Sequence, residues 1–105
     1  MTNSAEARVL IVGWDGATFD LIIPWVQQGR LPHPARLIAE GARRQLLSTI
    51  PTLSPPAWTS LITGKNPGRH GIFDFVRRQP GTYELQTVRN HLPSLGTLFH
   101  WVSHA

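Results

Sequence analysis

The residues that most narrow the choice of fold are Arg8 to Trp14, RVLIVGW, followed at once by Asp15-Gly16. A continuous apolar run of this length, rich in β-branched residues, has no polar face to turn to water. It suits a strand of a parallel sheet covered on both sides, with a turn at its carboxyl end. The next residues follow a helical period. Thr18 reads as an N-cap, and Phe19, Leu21, Ile22, Ile23, Trp25 and Val26 share a helical face. Pro24 interrupts that face, giving a kink or two short pieces. Gly29 ends the helix, Leu31-Pro32 turns, and Pro34 opens a second helix that Gly41 stops. Ala42 to Ile50 (ARRQLLSTI) reads as another strand. Strand, helices, strand is the order of an α/β layer, mostly parallel, with flanking helices.

Chemistry concentrates in the next stretch, Ile50 to Phe75, IPTLSPPAWTSLITGKNPGRHGIFDF. Ser54 stands directly before Pro55 and Pro56, ahead of an apolar run that stops at Gly64. Serine favours the N-cap and proline the first helical turn, so Ser54 is a candidate N-cap of a helix from about Pro55 to Thr63. A hydroxyl there faces the positive end of the helix dipole, beside backbone N–H groups that suit a phosphate or a developing alkoxide. The commoner role is capping alone. Asp15 likewise has two readings. At the end of the first strand it sits where open α/β sheets place ligands, or it bonds its own turn backbone, as Asp before Gly usually does.

Past Gly64, Lys65 to Arg69 is turn-rich and basic, and Phe73, Phe75 and Val76 suggest a piece that packs inward. Asp74, Arg77 and Arg78 then face solvent or the site. Pro80-Gly81 turns into a strand at Thr82 to Val88, and Ser94 is a candidate cap for a last helix, Leu95 to Val102, weakened by Gly96.

Composition excludes several classes. With 105 residues the chain is at most one small domain, and without cysteine it has no disulfide, thiolate metal site or cysteine nucleophile. Absence of cysteine fits a reducing, cytoplasmic setting. Neither a signal peptide nor a membrane span is indicated. The net charge of +4 comes from scattered arginines, whereas nucleic-acid modules cluster them with aromatics, so no nucleic-acid partner is expected. Of the five histidines, His33 falls in a turn, and His91, His100 and His104 lie in the tail. His100 and His104 have a spacing that suits a metal but equally a solvated helix face.

Three blocks carry a resemblance: VLIVGWDGATFDLI (Val9 to Ile22), GRLPHPARLIAEG (Gly29 to Gly41) and STIPTLSPPAWTSLITGKNPGRHGIFDF (Ser48 to Phe75). Together they resemble the amino-terminal part of the type I phosphodiesterase/nucleotide pyrophosphatase family of the alkaline phosphatase superfamily, closest to its phosphohydrolase/phosphomutase branch. The resemblance implies that residues 1–105 are a single amino-terminal portion of a phosphatase-like catalytic domain whose sheet is incomplete. It implies a site of two divalent metal ions, zinc with manganese or iron as alternatives. Asp15 would match the first metal ligand, and Ser54 the nucleophile that also ligates a metal. The substrate class implied is a phosphorylated small molecule. His70, in the HGI triplet, looks structural in the family. Where the pyrophosphatase branch ends its HGIxxN pattern in asparagine, this chain has Phe75, which weighs against a nucleotide diester. The family's remaining Asp and His ligands have no match here, so the chain alone is expected to be inactive. Two other readings stand beside this one: an anion-binding or interaction module in which Ser54 only caps, and an unstable remnant with an uncovered apolar face.

Overall fold

Thr18 begins the first helix through its hydroxyl. In the computed structural model, which describes residues 8–88 and 96–103, Thr18 is extended and its side chain accepts from the Asp20 N–H at 3.3 Å. Helix α1 (Phe19–Gln27) follows, with Pro24 inside it and no break. Its end is a Schellman motif. Gly29, at φ +71°, donates to the Val26 carbonyl and Arg30 donates to that of Trp25, so two terminal carbonyls find partners. The Arg30 guanidinium then lies over the Trp25 ring. Helix α2 (Pro32–Glu40) starts two residues before the expected Pro34, because Pro32 already meets the first-turn preference. His33 is consequently within its first turn, and Gly41 closes it as expected.

These elements belong to one of two compact units, Met1–Arg43, and the remainder forms the other, Arg44–Ala105. In the second unit, helix α3 (Ser54–Thr63) ends at Gly64, which is left-handed at φ +64°. A one-turn helix α4 (Pro67–His70) is capped by the Asn66 side chain, which accepts from the Arg69 N–H at 3.0 Å. Strands β1 (Val76–Arg78) and β2 (Leu85–Thr87) pair antiparallel, with Arg77 opposite Gln86, around the turn expected at Pro80-Gly81. Helix α5 (Leu98–Ser103) begins beyond Gly96, with Thr97 at its start accepting from the Trp101 N–H. The cap expected at Ser94 lies outside the described residues, as do His91 and His104.

The chain mixes helix with a small sheet, and among the described residues that sheet is the β1–β2 hairpin alone. The mostly parallel sheet expected from RVLIVGW and ARRQLLSTI is not formed there: residues 8–14 and 42–49 carry no ladder. Both runs are exposed, with Leu10 at 87% and Leu47 at 93%. A buried strand needs a bonded neighbour and a cover on each face; these runs have the composition without the partners. Phe73, Phe75 and Val76 are likewise exposed rather than packed inward. The best-buried side chains of the second unit are instead Pro56, Thr59, Thr63, Pro67, His70 and Thr97. No described helix is long and apolar enough to cross a membrane.

Candidate functional site

Helix α3 is where the sequence and the structure part by one residue, and the shift matters chemically. Leu53, extended at φ −119° and ψ 155°, occupies the N-cap, and its carbonyl accepts from the Ala57 N–H at 3.1 Å. Ser54 is therefore the first helical residue, and Leu53, with an apolar side chain, makes no side-chain cap bond. Two consequences follow. The Ala57 amide, which a capping serine at position 54 would take at N3, is already committed to the Leu53 carbonyl. Pro55 and Pro56 have no N–H to offer. Of the first three helical residues, Ser54 alone carries a backbone N–H, fewer donors than the expected cluster around an anion. What remains is a half-buried hydroxyl at the positive end of the helix.

The far end of α3 is held by its own hydroxyls. Thr63, 2% exposed, donates through Oγ1 to the Thr59 carbonyl at 2.6 Å and accepts from the Lys65 N–H at 3.2 Å. That carries the chain through Gly64 into the α4 turn. Lys65 and Arg69, the basic residues of that turn, are both exposed.

At the end of α4 the His70 ring returns to α3. Its Nε2 lies 2.9 Å from Ser60 Oγ, and its Nδ1 accepts from the Ile72 N–H at 3.1 Å. The Pro56 carbonyl lies near enough to the ring to favour its protonated form. Burial holds the His70 pKa below the ordinary histidine value, against a weaker upward pull from that carbonyl. The sequence marked His70 as structural, but nothing in its spacing pointed to Ser60. The two are ten residues apart with a helix end and a left-handed glycine between them. Only the Gly64 stop, which lets the chain double back, hinted at such a contact.

Asp15 stands in the turn that ends residues 8–14, immediately before Gly16 at φ +68°. It is exposed and belongs to the first unit, whereas Ser54 belongs to the second. His100, the described member of the tail pair, meets the Thr97 hydroxyl through Nδ1 at 2.6 Å.

This order of Asp-Gly turn, hydroxyl at a proline-rich helix start and HGI turn can be set beside known proteins. The sequence model described as type I phosphodiesterase / nucleotide pyrophosphatase matches residues 9–104. The chain belongs to that family. No curated protein and no solved structure matches it significantly. Phosphoryl-transfer chemistry of the phosphodiesterase and pyrophosphatase type, generally metal-dependent, is that of the family as a whole. For this phosphodiesterase-family chain the donor count is informative. Among the described residues no group of three or more His, Cys, Asp or Glu side chains gathers to hold a cation. Asp15 and Ser54 are two oxygen donors, and divalent ions take at least four ligands. The described residues by themselves do not fit a complete metal centre.

Proposed function

We propose that Ser54 is the nucleophile of a phosphoryl-transfer reaction on a phosphorylated small molecule. The observation that carries this is the position of Ser54 as first residue of α3. There its half-buried side chain stands at the positive end of the helix, before two prolines that carry no N–H. Membership of the family supplies the reaction class. Ser54 Oγ loses its proton to solvent and attacks phosphorus in line, an O–P bond forms, and the bond to the departing alkoxide breaks as that oxygen takes up a proton from solvent. Water then cleaves the phosphoseryl ester and releases phosphate, or an acceptor alcohol takes the phosphoryl group. The positive end of α3 lowers the energy of the charged oxygen while this happens.

The reading includes two divalent cations, zinc or alternatively manganese or iron, which would offset charge on the phosphoryl oxygens. Asp15 and Ser54 would be two of their ligands. Because two donors cannot complete such a site, residues 1–105 alone should not turn over substrate. Phe75, 59% exposed, has no side-chain hydrogen bond to give a phosphate, which favours substrates other than nucleotide diesters. A cytoplasmic setting is supported by the cysteine-free composition. The alternative is a non-catalytic anion-binding or interaction module in which Ser54 serves the helix start alone.

The test is acid quenching of the product of the longest reading frame containing this sequence, during turnover of an aryl phosphate with Zn²⁺ or Mn²⁺, followed by phosphopeptide mapping. Phosphate on Ser54 is expected. Turnover with phosphate on another residue, or turnover by residues 1–105 alone, would overturn the respective part of the reading.

A further inference from the structure

The Ser60–His70 pair has the separation of a nucleophile and its base, so its chemistry has to be settled first. A general base at Nε2 needs that nitrogen unprotonated, with the proton on Nδ1. Here Nδ1 faces the Ile72 N–H at 3.1 Å and must accept. In the neutral ring the proton is then on Nε2, which donates to Ser60 Oγ at 2.9 Å. Ser60 is not activated by this histidine.

We infer that His70 is a positioning residue: as the Nε2–H tautomer it ties the Ile72 amide, through the ring, to α3 and so fixes the helix on whose first residue Ser54 stands. The bond reaches α3 at Ser60, and the Pro56 carbonyl, two residues from Ser54, acts on the ring's protonation. His70 is 8% exposed, and Gly71 after it adopts φ +73°, which turns the chain so that Ile72 points its amide back at the ring. The tie is conditional on charge. A doubly protonated ring has no acceptor at Nδ1, so the Ile72 bond is lost and two N–H groups oppose each other.

Apart from the Pro56 carbonyl, the surroundings offer the cation little. Helix α3 has no titratable side chain, and α4 and the turn before it contribute only the exposed Arg69 and Lys65. Helix α5 contributes His100, engaged with Thr97. No carboxylate on these elements faces the ring. Acidification should therefore release the helix from its turn rather than merely charge the surface. The consequence for catalysis rests on Ser54 being the nucleophile, but the tie itself does not.

The experiment is an NMR pH titration of the 105-residue chain, following the ring nitrogens of His70 and the backbone amides of Ser54, Ser60 and Ile72. Expected are an Nε2–H tautomer at neutral pH, a midpoint below the roughly 6.5 ordinary for histidine, and amide shifts at Ser54 and Ile72 with that same midpoint. Ser60→Ala should shrink the Ser54 response while leaving that of Ile72. An Nδ1–H tautomer, or a Ser54 amide unmoved through the His70 midpoint, would overturn the inference. Phosphopeptide mapping that misses Ser54 would instead remove the nucleophile reading and leave the tie standing.

Discussion

Residues 53–72 and the apolar runs at 8–14 and 42–49 are opposite cases of how sequence becomes structure. In the first region each signal closes within about ten residues. Leu53 bonds Ala57, Thr63 bonds Thr59 and Lys65, Asn66 caps α4, and His70 reaches back to Ser60. The apolar runs are at least as marked in the sequence, yet they carry no ladder and lie exposed. A cap or a left-handed glycine needs only its neighbours. A strand buried on both faces needs partners far along the chain. Local hydrogen bonds therefore shape much of the segment that bears Ser54.

That contrast can be broken by substitution, and the largest stability effect is expected inside the locally bonded region. Thr63→Val keeps the shape but removes the hydroxyl from a site 2% exposed, leaving the Lys65 N–H without that acceptor. About 1–3 kcal/mol should be lost in urea unfolding. Gly71→Ala meets no atom within 4 Å but must hold φ +73°. The strain should cost about 1–2 kcal/mol in the same measurement.

Acid should act on the same region. The folded-state pKa of His70 is depressed, so between that value and about 6.5 the unfolded chain binds more protons than the folded one. Its contribution to stability is complete above about pH 6.5 and is lost as pH falls through the folded value. Unfolding at pH 7.5 and at pH 5 should show the difference, and His70→Gln should flatten it. The smallest effect is expected at the other pole. Leu46→Lys with Leu47→Lys alters side chains 90% and 93% exposed and should change stability by less than about 0.5 kcal/mol while improving solubility. A loss of several kcal/mol would show that the run is covered after all, and would erase the contrast.

What was legible in the sequence follows the same division. Thr18 as cap, Gly29, Gly41 and Gly64 as stops and Pro80-Gly81 as a turn are all found, because each acts through its own backbone. Pro24 leaves α1 whole, which periodicity could not decide. Ser54 was misplaced by one position because Ser-Pro is a cap signal in composition, while the helix took its first bond from the carbonyl before it. The parallel sheet was inferred from strand-like composition, and composition does not supply a neighbour. Ser60 went unnoticed because a hydroxyl mid-helix has no motif; its partner appears only once the chain has folded back at Gly64.

The central claim is that the Ser54 hydroxyl is the nucleophile. Its most direct test is Ser54→Ala in the product of the longest reading frame containing this sequence, with turnover of an aryl phosphate read at matched folding. Turnover should fall by roughly 1,000-fold or more. Undiminished turnover would contradict the account.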